Sequence, residues 1–558
     1  MTSGHPPESG SLTRRRVALT PRQRDILRLL CEGKVNKEIA RELDIGLGTV
    51  KQHMVALFKR LQVSNRSMAV SHGMALLAED QDRLAPSAPS GIQSSDWTQT
   101  GILMRRPCVV ASFALQAKAL KEFGTSFQGL MAQLACDAGA LLLPLGPGAG
   151  DILFGIRHSS EQDLTAALQL IQVVTRRLGG EKSSYLVDLR VALNAGMAVV
   201  SRDRRGGWSG EVLASPVITA NHGLLRETAK GHLGLGVAAR EVLHSLGPGT
   251  APPLPESLSL VDLAQLFRVE CALPNARTLH PGVWDSLAGW LEKGSHDGVL
   301  YLQGETGMGK SHLCRSLLAR CRSLGGTGRY FRAMPIEALY PLCDALTGET
   351  VSLEALLVAL GAPRLARPDL VVIDDFHLLS KDARARILAG VPKAVDRGRM
   401  LVLAGRRLGR RLGITLALEH LAENEVMSVL SELRPWSVQA EAQQALPRVL
   451  ALAAGVPLFA MELARSPGAE VNLTLLMIIA SRLDGLDLDW KMLQTLAMSP
   501  DGLDIATLAR NLGDAQDQVK AAVDMATRAG VLRPNPDASG VIRFRHPLVR
   551  EAVNLLCI

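Results

Sequence analysis

Gly304-Glu305-Thr306-Gly307-Met308-Gly309-Lys310-Ser311 lies between an apolar run, Val299 to Gln303, and a segment of helical character that reaches about Arg322. The spacing G-x-x-x-x-G-K-[ST] between a strand and a helix has a mechanical reading. Glycines let backbone N–H groups close around phosphate, and the helix that follows adds the positive end of its dipole. Lys310 then reaches the β- and γ-phosphates, and Ser311 ligates Mg²⁺. Gly304, Gly307, Gly309, Lys310 and Ser311 are therefore the expected binding residues for ATP or ADP with Mg.

Downstream, Leu370-Val371-Val372-Ile373-Asp374-Asp375 is an apolar strand ending in two carboxylates. Asp374 is expected to hold Mg²⁺ through a water, and Asp375 is the candidate catalytic base that orients an attacking water. Met400 to Ala404 is a further strand run, and Arg406 at its end is placed to sense a γ-phosphate; a surface basic cluster with Arg410 and Arg411 is the competing reading. From Gly298 to about Leu412 such runs alternate with helical segments, which predicts a parallel sheet covered by helices. Beyond about 415 the pattern is helical until Gly530-Val531-Leu532 and Val541-Ile542-Arg543-Phe544, two extended runs joined through Pro534-Asn535-Pro536-Asp537.

Asp374-Asp375-x-His377, the strand ending in Arg406, Gly455-Val456-Pro457 and Phe544-Arg545-His546-Pro547-Leu548-Val549-Arg550 together resemble the STAND class of signalling ATPases, to which the maltose-regulon activator belongs. The resemblance covers about 275 to 558. It implies an AAA-like P-loop core, a winged-helix close, and nucleotide used as a switch, with slow hydrolysis at most. Such relatives usually carry a long superhelical sensor and a DNA-binding head at the C-terminus, whereas here the DNA motif comes first.

At the other end, Leu19-Thr20-Pro21-Arg22 through Leu61 gives three helices in about forty residues. Thr20 can cap the first, Pro21 suits its first turn, and Ile26, Leu27, Leu29 and Leu30 supply its apolar face. Asn36 caps the second, and Asp44-Ile45-Gly46 turns into the third, whose buried stripe is Val50, Met54, Leu57, Phe58 and Leu61. Leu-Thr-Pro-Arg, Asn36-Lys37-Glu38-Ile39-Ala40 and Thr49-Val50-Lys51-Gln52-His53 resemble the LuxR/FixJ-type helix-turn-helix. By that resemblance Lys51, Gln52 and Val55 enter the major groove of double-stranded promoter DNA, while Thr49, His53, Asn36 and Lys37 approach phosphates. Gly46 stands where relatives usually carry a capping Ser. By the same resemblance Ser67 to Leu77 is the expected dimerisation helix on DNA; the competing reading makes Met68, Val70, Met74 and Leu77 the small domain's own core. A higher oligomer with ATP is what the STAND resemblance implies, and RNA polymerase is a further expected partner.

Residues 104 to 270 resemble a class III nucleotidyl cyclase in the strand Cys108 to Phe113, the hairpin Gly150-Asp151-Ile152-Leu153-Phe154, and Leu189 to Gly196. A cyclase requires two metal-binding aspartates and an Asn/Arg pair. Asp151 fits one metal position, but the first strand offers Ser112 and Phe113, and Val217 to Asn221 does not supply the pair. The expectation is a degenerate domain used for sensing or dimer contact, without cyclase activity. Leu258 to Val269 reads as a returning strand.

The chain thus reads as multidomain: a basic tail (1–18), an all-α helix-turn-helix head (19–80), a Ser/Pro-rich linker (81–103), an α+β cyclase-like middle domain (104–270), an α/β P-loop NTPase core (275–415), and helical (416–480) and winged-helix-like (481–558) subdomains. Of the net charge of +8, residues 1 to 80 contribute 13 Lys/Arg against 8 Asp/Glu, a basic module suited to a polyanion. The eight cysteines show no C-x-x-C pair and no metal spacing, as expected of buried thiols in a reducing compartment. No apolar run of about 18 residues occurs, so a cytoplasmic location without a membrane partner is expected. The function read from these features is an ATP-switched bacterial transcription regulator. The alternatives are a slow ATPase or cyclase-type enzyme, or a nucleotide-independent DNA-binding scaffold.

Overall fold

The computed structural model describes residues 21–31, 39, 43, 50, 53, 54 and 57, and then 102–558 apart from 147, 180–185, 247–253, 269–275, 294–297, 363–367, 407–412, 433–439, 466–470 and 536–539. The chain divides into two compact units, Met1–Ser94 and Ser95–Ile558. In the first, the helix Pro21–Cys31 buries Ile26, Leu27 and Leu29, and Ile39, Val50, Met54 and Leu57 are also buried. These are the i, i+3, i+4 positions that a small helical head must remove from water, each contributing about 1.5–3 kcal/mol. The Arg22 guanidinium donates to the Leu43 carbonyl at 2.6 Å.

The second unit begins with an antiparallel-rich sheet ordered β2-β3-β1-β4-β6-β7, with β5 on β4. Its strands are β1 (Ile102–Leu115), β2 (Leu141–Gly146), β3 (Ala149–Phe154), β4 (Leu189–Arg202), β5 (Trp208–Ala214), β6 (His232–Leu235) and β7 (Ser257–Ser259). β1 is buried on both faces, which explains the apolar stretch Cys108–Ala114, interrupted by Ser112. Val109, Ala111 and Phe113 face one core shared with the helix Asp163–Leu178. Met104, Cys108 and Val110 alternate into a second core, shared with the helices Leu473–Asp484 and Pro547–Leu556, which pack on β1. The middle sheet is therefore fused to the C-terminal helices, and Ser95–Ile558 divides no further. Leu258 to Val269 departs from the expected strand: after β7 it coils into a 3₁₀ helix, Leu260–Phe267. Ser259 caps that helix by accepting from the Val261 N–H, and Leu260, Leu263 and Phe267 turn inward at helical spacing.

A second sheet is ordered β11-β10-β9-β12-β13-β8-β14, from β8 (Val299–Gln303), β9 (Thr327–Ala333), β10 (Leu342–Asp344), β11 (Thr350–Val351), β12 (Asp369–Asp374), β13 (Met400–Gly405) and β14 (Ile414–Ala417). β9, β12, β13, β8 and β14 run parallel. β13 separates β8 from β12, and the register Gly405↔Gln303 and Ile373↔Leu403 aligns their C-terminal ends on one edge. Ligand groups gather at that edge in open parallel sheets.

Beyond β14 the helices Glu423–Glu432, Ala440–Ala453, Pro457–Arg465 and Leu473–Asp484 lead to Trp490–Ala497. There β15 (Leu503–Asp504), the helices Ile505–Leu512 and Gln516–Arg528, β16 (Leu532–Pro534) and β17 (Val541–Phe544) form a three-stranded sheet ordered β15-β17-β16. The two extended runs pair antiparallel, Leu532 opposite Phe544. No helix among the described residues is long and apolar enough to cross a membrane.

Candidate functional site

The loop after β8 wraps into the helix Lys310–Ser323 with Gly307 at φ 81° and Gly309 at φ 90°, the left-handed region where glycine carries no Cβ penalty. Space also excludes a side chain: a Cβ on Gly307 would lie 2.9 Å from the Leu458 Cβ. The Leu458 N–H donates to the Gly307 carbonyl at 3.1 Å, so Gly455-Val456-Pro457-Leu458 docks directly on this loop. Gly455 is itself left-handed, and a Cβ there would meet the Leu421 carbonyl oxygen at 2.5 Å. On the other side the His280 Nε2 donates to the Met308 carbonyl at 2.9 Å; burial lowers the pKa of His280, favouring the neutral ring.

Lys310 is buried, and its Nζ donates to the Gly304 and Glu305 carbonyls at 2.8 and 2.7 Å. Burial lowers its pKa, opposed by Asp375, Asp374 and Glu161. Asp374 closes β12 fully buried; it accepts from the Tyr330 hydroxyl at 2.6 Å and from the Asp375 N–H at 2.9 Å. Asp375 turns left-handed at φ 54°, which aspartate tolerates better than most residues. Burial, with the adjacent Asp374 carboxylate, holds Asp375 above the usual carboxylate range. Ser311 follows Lys310 in the first turn of the helix. These residues suit a polyphosphate with a divalent cation: a buried amine held by carbonyl oxygens, a left-handed glycine loop at a helix start, and a fully buried carboxylate on a parallel strand end.

Arg406 follows the end of β13, on the same edge. Its Nη2 donates to Glu161 Oε1 at 2.6 Å, a carboxylate brought by the middle domain. Sequence reading missed Glu161, which lies 245 residues away in a segment without periodicity.

In the middle sheet Asp151 is buried and fully engaged. The Ser112 hydroxyl donates to its Oδ1 at 2.6 Å, and the His222 Nε2 sits 2.8 Å from its Oδ2. Asn221, also buried, donates to Ser112 Oγ and to the Val110 and Ala192 carbonyls. Ser112 and Asp151 face each other across β1 and β3. The expected metal aspartate is thus part of a hydroxyl–carboxylate–imidazole network, and the described residues contain no group of three or more His, Cys, Asp or Glu that could hold a metal.

Of the DNA-reading residues, His53 is half-buried on a helical segment. Asn36, Lys37, Thr49, Lys51, Gln52 and Val55 lie outside the described residues, as does Ser67 to Leu77.

Residues 17–72 match the family model described as bacterial regulatory proteins, luxR family. Over 52 residues the chain is 52% identical to the HTH-type protein YhjB of Escherichia coli K12, covering 9% of this chain and 26% of that protein. Over 48 residues it is 50% identical to the nitrate/nitrite response regulator NarL of the same strain, covering 9% and 22%. Over 52 residues it is 48% identical to the transcriptional regulatory protein LiaR of Bacillus subtilis, covering 9% and 25%. The chain thus spans about a quarter of the length of these relatives, and the likeness is confined to its N-terminal segment, which matches the luxR-family model. Among solved structures, a single-site variant of Thermotoga maritima RuvB is 20% identical with a TM-score of 0.27, covering 48% of this chain and 92% of that one. The replication initiator DnaA bound to AMPPCP and single-stranded DNA is 13% identical with a TM-score of 0.28, covering 46% and 90%. The adenylyl cyclase CyaB from P. aeruginosa is 13% identical with a TM-score of 0.21, covering 26% and 83%.

Proposed function

We propose that this chain is a bacterial transcription regulator whose DNA-binding head is switched by ATP or ADP at the loop Gly304–Ser311, in the manner of STAND ATPases. The observation that carries the reading is the presence, in one chain with the LuxR-family segment, of a buried lysine, a buried strand-end carboxylate and an arginine on the same sheet edge. Lys310 would bind the β- and γ-phosphates, the loop N–H groups the remaining oxygens, and Ser311 and Asp374 would hold Mg. When bound, Mg neutralises phosphate charge and orients the terminal phosphate. Asp375, with its raised pKa, would accept a proton from a water, slowly enough for nucleotide state to act as a timer. Tyr330 fixes Asp374 through its hydroxyl.

The docking of Gly455–Leu458 on Gly307 favours a switch over a free-standing ATPase. Any displacement of the loop reaches the helical subdomain without an intermediary. The engagement of Asp151 with Ser112 and His222 supports a middle domain that transmits rather than catalyses. On DNA the head would act as a homodimer, with Lys51, Gln52 and Val55 at base edges and Thr49, His53, Asn36 and Lys37 at phosphates. Titration calorimetry of Lys310→Ala tests the nucleotide site: loss of ATP and ADP binding is expected, and unchanged affinity would defeat the assignment.

A further inference from the structure

We infer that Glu161 is a built-in competitor of the nucleotide's terminal phosphate, a carboxylate of the middle domain that occupies Arg406 until ATP, and not ADP, displaces it. This rests on the nucleotide reading of the loop Gly304–Ser311 given above.

Glu161 lies between β3 and the helix Asp163–Leu178, with 9% of its surface exposed. Its Oε1 accepts from Arg406 Nη2 at 2.6 Å, whereas its Oε2 is buried with no hydrogen-bond partner among the described residues. A buried carboxylate with one oxygen unsatisfied forgoes part of the free energy its desolvation costs, so the contact is easier to displace than a fully satisfied pair.

A guanidinium offers the same planar donors to a carboxylate or to a phosphoryl group, so a γ-phosphate would compete with Glu161 for Arg406. The γ-phosphate is the group that separates ATP from ADP, and Arg406 follows the strand adjacent to β8. The segment carrying Glu161 is also tied to the helical subdomain. The Ser159 N–H donates to Asp484 Oδ2 at 2.7 Å, and Ser159 Oγ accepts from Arg106 at 2.7 Å. Asp484 ends the helix Leu473–Asp484, whose Arg482 pairs with the loop residue Glu305 at 3.0 Å. The segment therefore contacts both the sensing arginine and the helix behind the loop. By reciprocity, whatever Glu161 takes from ATP affinity, ATP takes from the hold of the middle domain on Arg406.

The test measures the affinities of the full chain for ATP and ADP in wild type, Glu161→Gln, Arg406→Ala, the double variant and Lys310→Ala, with thermal unfolding to establish that each is folded. Glu161→Gln should tighten ATP by roughly 5- to 20-fold and ADP by less than about 2-fold, within the usual range of coupling between sites. In the Arg406→Ala background the same substitution should change ATP affinity by less than about 2-fold. An equal gain for ATP and ADP, or a gain that persists without Arg406, overturns the inference while leaving the nucleotide site standing. Nucleotide binding by Lys310→Ala equal to wild type defeats the nucleotide site instead. A wild type and Glu161→Gln that both bind neither nucleotide overturn the two together.

Discussion

Asp484→Ala should be among the most destabilising single substitutions in residues 95–558. The Asp484 side chain, 4% exposed, pairs with Arg106 and Arg202, which are 0% and 1% exposed. Arg202 Nη1 lies 3.3 Å from Oδ1, and the Ser159 N–H donates to Oδ2. Removing the carboxylate leaves two guanidinium groups in a dry interface with only neutral acceptors, such as Ser159 Oγ for Arg106 and the Ile156 carbonyl for Arg202. Breaking a buried pair in this way costs about 3–5 kcal/mol, because the uncompensated charge remains. The exposed pair Arg205–Asp487 is the control: its side chains are 71% and 66% exposed, so Arg205→Ala should cost about 0–1 kcal/mol. Urea unfolding followed by tryptophan fluorescence reads both, since Trp490 is buried against Gly206 beside this interface. A loss below about 1 kcal/mol for Asp484→Ala would refute the claim that this charge cluster joins the middle sheet to the C-terminal helices.

Tyr330→Phe should cost about 1–3 kcal/mol in thermal or urea unfolding, because it removes a buried donor to the Asp374 carboxylate; a neutral result would mean another group satisfies that oxygen. Burial lowers His546 to about 4, so the native state stays neutral where the unfolded chain takes up a proton. Its contribution is complete above the unfolded value near 6.5 and declines as pH falls toward 4, so wild type should lose stability over that window more steeply than His546→Gln. Asp163 runs the other way: burial raises it to about 7, so its contribution is greatest at low pH and is lost as pH rises from about 4 to 7. Unfolding midpoints of Asp163→Asn across that window should therefore lack the decline, and parallel curves would contradict the assignment.

The parallel strands β8, β12 and β13 were legible because a strand covered on both faces reads as an unbroken apolar run, and their ends named Lys310, Asp374 and Arg406 without a structure. β9, Thr327-Gly328-Arg329-Tyr330-Phe331-Arg332-Ala333, was not: glycine and two arginines break the apolar run, so Tyr330 went unrecognised as the partner of Asp374. β14 has four residues, too short for periodicity to show. The groups that tie the middle sheet to the rest act across the chain, Glu161 with Arg406 and Asp484 with Arg106, and nothing local marks an acid whose partner lies hundreds of residues away. Asp151 was found by its hairpin, but His222 was passed over because a helical histidine carries no signal until the fold brings it to a carboxylate.

The most direct measurement is fluorescence anisotropy with DNA from upstream of the protein's own operon, at fixed salt, with ATP, with ADP and with neither, for wild type and Lys310→Ala. Affinity or stoichiometry that changes with ATP in wild type and not in Lys310→Ala is the predicted result. Equal specific binding in every condition would leave the LuxR-family head as a DNA-binding domain and contradict its control by nucleotide.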